Sequence, residues 1–321
     1  MLLDQDKLLQ LLNQPGVKSG TDLGDALGVS RMAVQKRIHS LSENGLPIAA
    51  VPGKGYSLAP DIHLLSEYEL RAGLDPEMLE SLELFQSIPS TNSHLLEQSI
   101  ELRKARVCIS ESQSAGRGRR GNDWQSAPYR NVMLSISWGF DHWPETITGL
   151  GLAVAMVIAE RLNQDYSLGV KIKWPNDLLV ADDKLAGILI DVAGESSGAC
   201  NVVIGVGLNV HQPDWSDSTS GYRWQDLYGL GVKLNRNKLI AKLVNDLTSM
   251  LVGFEAQGFK PLVERWNSLS SFAGANIRVG DDESFVTGVM QGVDTTGALL
   301  LLNSKGEVQR FADSNVSVRK I

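Results

Sequence analysis

Apolar positions recur along residues 1–60 first with the spacing of helices and then with that of strands. From Lys7 to Leu12, Leu8, Leu9, Leu11 and Leu12 predict a helix that Pro15-Gly16 ends. A short second helix is expected to bury Leu23, Ala26 and Leu27, with Ser19 or Thr21 as its cap. Gly28-Val29-Ser30 reads as a tight turn, and Ser30 caps a third helix that Gly45 stops. On that helix Val34, Ile38 and Leu41 share one face, while Met32, Gln35, Lys36 and His39 point the other way. Arg31 and Arg37 flank them. Two short strands, Ala49 to Val51 and Tyr56 to Leu58, are joined by Pro52-Gly53-Lys54-Gly55. This is the pattern of a winged helix-turn-helix, whose second helix of the pair enters a major groove while the wing lysine, Lys54, reaches a phosphate. The competing reading is a small three-helix protein-interaction module with a solvated polar face.

A boundary is expected near Ala59-Pro60-Asp61, after which Ser66-Glu67-Tyr68-Glu69 has capping-box spacing and opens a new helix. From there to about Asn267, strand-like and helical runs alternate. Val132 to Phe140 sets Val132, Leu134, Ile136 and Trp138 against Met133, Ser135 and Ser137, as a half-exposed strand does. Ile147 to Leu162 is an apolar helix, and Val170 to Trp174 alternates again. Gly187 to Val192 and Val202 to Val210 are further strands, and Lys238 to Gln257 is a long amphipathic helix ended by Gly258. Neighbouring strands with helices on one side predict an α+β domain built on a mixed sheet. The tail, Ser271 to Ile321, holds five strand-like pieces broken at Gly280-Asp281-Asp282, Gly292, Asp294 to Gly297 and Ser304-Lys305-Gly306. It reads as a small β-barrel that packs against the main domain. The expected division is therefore 1–62, 63–270 and 271–321.

At 321 residues the chain has room for these three units, and its 43% hydrophobic and 21% charged content is ordinary for globular proteins. Net charge is −7, yet residues 1–60 hold six Lys/Arg against five acids. Any nucleic-acid contact is then local to one face and not a general polycation effect. Cys108 and Cys200 lie inside apolar runs, and the five histidines show no ligand spacing with them. Two buried thiols in a reducing compartment fit better than a disulfide or metal site. The start, Met1-Leu2-Leu3-Asp4-Gln5-Asp6, has acids where a signal peptide needs basic residues. The longest apolar stretch, near Leu150 to Ala159, is shorter than the roughly 20 residues that span a bilayer. A cytoplasmic protein without a membrane partner is expected.

The most distinctive chemistry is Gly116-Arg117-Gly118-Arg119-Arg120-Gly121, behind Gln113-Ser114-Ala115 and ahead of Asn122-Asp123-Trp124. Glycines allow close backbone approach to a ligand, and guanidinium forks match phosphate and carboxylate oxygens in pairs. The spelling G-x-G-x-x-G also invites a dinucleotide reading, but turn chemistry follows it where a helix should open. A P-loop is excluded because no Gly-Lys-Ser/Thr follows. An arginine-rich nucleic-acid loop is the plainer alternative.

A second motif is Lys173-Trp174-Pro175-Asn176-Asp177, followed by Lys184-Leu185-Ala186-Gly187-Ile188-Leu189. Pro175 breaks the strand, so the polar groups after it fall in a loop. Together with the arginine loop these supply positive charge for a phosphate and a carboxylate, plus an acid, Asp177, that can orient Mg²⁺. Pro89-Ser90-Thr91-Asn92 sets hydroxyls and an amide at a helix start, suited to a polar uncharged ligand group or to simple capping. In Gly205-Val206-Gly207-Leu208-Asn209 the glycines permit close approach, and Asn209 can read a ribose or base edge.

These four motifs, in this order behind a winged helix, resemble the family of bifunctional biotin protein ligases and biotin operon repressors, over the whole chain. The resemblance implies a class II synthetase-like catalytic domain and an SH3-like tail. By the same resemblance Ser90, Thr91, Asn92 and Gln113 would hold the ureido ring of biotin. Arg117, Gly118 and Arg119 would sit where the biotin carboxyl meets the nucleotide phosphate, and Lys184 would hold carboxylate and α-phosphate together. Trp124 would pack on adenine, with Arg120, Asn131, Lys173, Asn176 and Asn209 on the nucleotide side. Ser30, Arg31, Gln35, Lys36, His39 and Lys54 would meet operator DNA. Lys184, Arg119 and Asp177 are the implied catalytic set, with ATP, Mg²⁺ and biotin as small molecules. A biotin carboxyl carrier protein, operator DNA and a second copy of the chain are the implied partners. Two departures stand out: Tyr129-Arg130 occurs where the family often has a glycine, and Asp191 replaces a common glutamate. A lipoate ligase shares the implied catalytic architecture but not the winged helix or the arginine-loop spelling. A non-catalytic ligand-responsive repressor would need neither Lys184 nor the paired arginines.

Overall fold

Ser19 caps the second helix by accepting from Asp22 N, and Ser30 caps the third by accepting from Ala33 N. With both starts fixed, the computed structural model folds its N-terminus as α1 (Leu2–Asn13), α2 (Gly20–Leu27) and α3 (Arg31–Glu43). The hairpin β1 (Ile48–Val51) and β2 (Gly55–Leu58) follows, paired in antiparallel register with Val51 opposite Gly55. The structure describes residues 2–98, 102–141, 147–194, 198–212, 223–280, 284–312 and 316–321. Val34, Ile38 and Leu41 are buried, as their spacing predicts. The buried side of α2 differs from expectation: Ala26 is exposed, and Gly20, Leu23, Gly24 and Leu27 face inward. Gly24 belongs inside because a Cβ there would lie 2.7 Å from the Val29 carbonyl of the turn.

The central unit contains α4 (Glu67–Gly73), β3 (Leu79–Phe85), α5 (Thr91–Leu96), β4 (Ala105–Ser110), β5 (Val132–Phe140) and α6 (Ile147–Tyr166). It continues with β6 (Lys171–Lys173), β7 (Asp177–Val180), β8 (Asp183–Gly194), β9 (Cys200–Leu208), α7 (Arg236–Gln257) and α8 (Val263–Leu269). The seven strands form one mixed sheet in the order β3-β4-β5-β9-β8-β7-β6, with only β3 and β4 parallel. Alternate side chains enter two layers. Val107, Leu134, Ile136, Val202 and Ile204 join the main core with α6 and α7. Cys108 and Val203 pack with Leu95 of α5. Helices therefore cover both faces, not one.

The half-exposed reading of β5 is corrected too, since all nine of its residues are buried. Its serines face a polar interior instead of solvent: Ser137 Oγ donates to Asn201 Oδ1 at 2.6 Å, and Ser135 lies under the first turn of α5. Cys108 and Cys200 are buried free thiols, and burial beside Glu83 pushes the Cys108 thiol up to about 12.

The tail supplies β10 (Asn276–Gly280), β11 (Phe285–Val293), β12 (Leu299–Leu302), β13 (Val308–Phe311) and β14 (Ser317–Lys320). They pair as an antiparallel sheet in the order β13-β12-β11-β10-β14. No pairing among the described residues closes β13 onto β14, so the expected barrel is an open five-stranded sheet here. Part of the turn expected at Gly280-Asp281-Asp282 lies outside the described residues. The tail shares a continuous core with the central unit, and Trp174 Nε1 donates to Gly297 O at 3.0 Å across the junction. No helix among the described residues is long and apolar enough to cross a membrane.

Candidate active site

Three consecutive residues make the turn between β6 and β7, because Lys173 pairs with Asp177 and leaves Trp174-Pro175-Asn176 outside the ladder. Asn176 fastens that turn to β8, exchanging backbone and side-chain hydrogen bonds with Ile188 at 3.0 and 2.7 Å. Its Oδ1 accepts from Arg119 Nη1 at 2.7 Å, which ties the turn to the arginine loop. The loop closes on itself: Trp124 N donates to Gly116 O at 2.9 Å and Gly118 N to Asn122 O at 2.6 Å. Arg120 takes a left-handed backbone, with φ of 59°, at its tip.

Both motifs line one cavity of about 380 Å³ on the α5 side of the sheet, within the range of small-molecule sites. Its charged lining consists of Arg117, Arg119, Arg120, Lys173 and Lys184 against Asp123 and Asp177. Lys184 Nζ is 2.7 Å from Asp177 Oδ1. It also sits 5.7 Å from the Trp124 ring and 5.6 Å from the Trp224 ring, within cation–π range of both. Burial, assisted by the nearby charges of Lys184 and Arg319, pushes the Lys173 ammonium below its ordinary pKa. The opposite end of the cavity is uncharged. Ser90 caps α5, and Gln113 Oε1 accepts from Thr91 N at 2.8 Å and from Thr91 Oγ1 at 3.0 Å. Ser135 Oγ lies 2.6 Å from Thr91 Oγ1 and 2.5 Å from Asn92 Oδ1. Asn92 Nδ2 donates to Asp191 Oδ2 at 2.9 Å, and Asp191 also pairs with Arg117. Asp191 thus links the two ends of the cavity.

Thirteen of the expected cavity residues are brought together, and two are not. Asn131 and Asn209 are fully buried and do not line the cavity. Asn131 Oδ1 accepts from Val210 N and His211 N at 2.8 and 3.1 Å, and its amide donates to Ser126 Oγ and Gln212 Oε1. Asn209 Nδ2 donates to Lys184 O and Gln225 O. The nucleotide contact expected of each therefore falls outside the set that the cavity brings together. Gly205 and Gly207 serve a different purpose from the one expected: a Cβ at Gly205 would lie 2.4 Å from Asn92 Oδ1, and one at Gly207 2.3 Å from Trp124 Cε2. They make room for the protein's own side chains. Sequence reading passed over Ser135, Asp191's double contact and Trp224. Trp224 sits in Arg223-Trp224-Gln225, which flanks Lys184 through a single parallel bridge, and its only sequence signal is an aromatic close to Tyr222 in a polar stretch.

The expected DNA-facing residues Ser30, Arg31, Gln35, Lys36, His39 and Lys54 are all exposed, and Met32 on the same helix is 72% exposed. His39 Nε2 lies 3.3 Å from Glu43 on the same helix.

A winged helix-turn-helix fused to a sheet with a cation-lined cavity defines a DNA-binding unit joined to a ligand-activating enzyme fold. Residues 84–209 match the biotin/lipoate A/B protein ligase family, and residues 4–57 match a helix-turn-helix domain family. The chain is 38% identical over 315 residues to the bifunctional ligase/repressor BirA of Escherichia coli, covering 98% of this chain and 96% of that one. It is 29% identical to the BirA of Bacillus subtilis, covering 93% and 94%. In fold it is similar to the biotin protein ligase from Aquifex aeolicus in complex with biotin and ATP, with a TM-score of 0.65 and 22% identity. That likeness covers 76% of this chain and all of the other. The chain belongs to the family of bifunctional ligase/repressors.

Proposed function

We propose that the chain is an ATP-dependent biotin protein ligase that also represses transcription from an operator, with biotinyl-5′-AMP as corepressor. One observation carries this reading most strongly: five cations against two carboxylates line one end of a cavity whose other end is a buried Ser90, Thr91 and Asn92 beside a half-buried Gln113. A carboxylate and a triphosphate repel each other, so catalysis of their union is chiefly positioning and charge neutralisation. Biotin's ureido ring suits the uncharged end near Ser90, Thr91, Asn92 and Gln113. Its carboxylate then points at Arg117, Arg119 and Lys184. The carboxylate oxygen attacks the α-phosphorus, pyrophosphate leaves, and the mixed anhydride forms. A carrier lysine amine next attacks the acyl carbon, loses a proton and expels AMP. The accepting protein in this reading is a biotin carboxyl carrier protein.

Trp124 and Trp224, 5.9 Å apart and edge to face, give the base an aromatic wall. Among the described residues no group of three or more His, Cys, Asp or Glu could hold a metal ion. A Mg²⁺ ion would enter with the triphosphate and take Asp177 as one carboxylate ligand, neutralising phosphate charge there. Two buried free thiols support a reducing, cytoplasmic location. Ordering of the arginine loop around the adenylate would complete a surface for a second copy, placing two α3 helices on one operator.

The deciding assay is pyrophosphate exchange with the full chain. Label should return from pyrophosphate to ATP only when biotin is present, and lipoate should not replace it. Operator binding without any exchange would favour the non-catalytic repressor instead.

A further inference from the structure

The winged-helix unit meets the segment behind the cavity wall at two consecutive residues, Tyr129 and Arg130. By position Tyr129 belongs to the central unit, between Trp124 and β5. Its side chain is nevertheless 3% exposed and buried in the winged-helix core with Leu8, Leu41, Leu46 and Ile62. Its φ is 62°, a left-handed conformation that is uncommon for a bulky residue and needs outside support. Support comes from its N–H, which donates to Glu111 O at 2.8 Å, and from the core around its ring. Pro128 abuts the end of α3, since a Cβ on Gly45 would lie 3.0 Å from it.

Arg130 Nη1 is 2.6 Å from Asp61 Oδ2, in the connection between the units, and 2.5 Å from His211 Nδ1. His211 in turn stacks on Tyr228 at 4.1 Å. The connection itself is fastened. Leu64 N donates to Asn13 Oδ1, Leu65 N to Glu111 Oε1, and His63 O accepts from Arg236 Nη2. On the cavity side, Ala127 N donates to Gln212 Oε1, which also accepts from Asn131. Residues 124–131 are thus held at one end by the cavity wall and at the other by the winged helix.

We propose that Tyr129 and Arg130 are positioning residues for the nucleotide side of the cavity, and that the winged-helix unit grips them to set the Trp124 wall. This inference rests on reading the cavity as an ATP site. Neither residue touches substrate; each acts through residues 124–131. Loss of the grip weakens ATP binding while leaving the reacting groups in place, so KM changes and kcat does not. Coupling of this kind is reciprocal, so the adenylate must also steady the winged helix.

The test uses the full chain with Arg130→Ala, Asp61→Asn, the double variant, Arg130→Lys and Tyr129→Gly. Arg130→Ala and Asp61→Asn should each raise KM for ATP about five-fold or more. Their kcat at saturation should stay within about twofold of the parent. The double variant should fall short of the sum of the singles, because the Arg130–Asp61 contact is lost in both, and Arg130→Lys should recover part of the loss. Adenylate should slow amide exchange in α3 of the parent chain but not of Arg130→Ala. Folded Arg130→Ala and Asp61→Asn variants with parental KM, or with parental exchange in α3 when the adenylate is bound, overturn the proposal. If Tyr129→Gly does not fold, the other variants still decide. If the parent itself lacks biotin-dependent exchange, the ligase reading fails. Amide exchange of residues 124–131 in the unliganded Arg130→Ala variant then tests the grip alone, and an unchanged rate overturns it.

Discussion

Arg236 and Lys184 are both cations in the interior, and the molecule treats them in opposite ways. The Arg236 side chain is 4% exposed and makes four hydrogen bonds, two to Glu111 and one each to the carbonyls of Asn131 and His63. Glu111, 1% exposed, also accepts from Leu65 N. Charge there is balanced and its donors are met by the protein, so the network joins α7, β4 and the connection to the winged helix. Lys184 shares Asp177 with a neighbourhood that includes Lys173, Arg119 and Arg120. One arrangement fixes the fold; the other gathers more cations than carboxylates along a cavity wall, an arrangement that favours an anionic ligand. An excess of one sign in a chain of net −7 is the clearest physical mark of where the chemistry lies.

Removing each cation should separate the two roles. Arg236→Met leaves Glu111 buried without its partner, and breaking a buried pair this way costs about 3–5 kcal/mol. Chemical denaturation should show that loss in full, with ligase activity falling only as folded protein is lost. A stability change under about 1 kcal/mol would mean that water reaches Glu111 and that the seam is not dry.

Lys184→Ala reverses the pattern. Asp177 remains partly exposed, so stability should hardly change, while biotin-dependent pyrophosphate exchange should fall by about 10²–10³. Near-parental exchange would remove Lys184 from the centre of the scheme and would shift the weight to Arg117 and Arg119.

The winged helix offers a third contrast, because its polar face is neither buried nor balanced. Gln35 is exposed on α3, so Gln35→Ala should leave pyrophosphate exchange intact and cost about 1–3 kcal/mol in operator binding, confined to one base position. A loss spread evenly over all sequences in a binding titration would instead assign Gln35 to the phosphate backbone.

What could be read from sequence divides along the same line. Caps and spacing place α2 and α3 because Ser19, Ser30 and Gly28 act within four residues of their partners. The arginine loop and the Lys173 to Asp177 turn are legible because consecutive residues carry the motif. The buried state of β5 is not, since Ser135 and Ser137 alternate with apolar residues whether they meet water or Thr91, Asn92 and Asn201. Tyr129 entering the winged-helix core depends on residues 8 to 62, and no local pattern announces a contact so far along the chain. Gly205 and Gly207 were legible as places of close approach, but not which atoms approach.

The smallest effect is expected at the junction of the tail with the site. Asp294 begins the turn whose Gly297 carbonyl accepts from Trp174 Nε1, next to Pro175 of the turn between β6 and β7. Burial alone would raise the Asp294 carboxyl. Hydrogen bonds from Thr296, Arg310 and Ala298 outweigh that and hold it at about 2, against an ordinary 3.8. Because the folded value lies below the unfolded one, its stabilisation is complete above pH about 4 and is lost as pH falls through about 2. The shift corresponds to no more than about 2 kcal/mol, given the partial exposure of the side chain. Asp294→Asn should therefore be less stable than the parent at neutral pH, and the two should converge as pH falls to about 2. Thermal melts at several pH values measure this directly. Parallel curves, with a constant gap at every pH, would show that the turn is held by shape and not by the charge of Asp294.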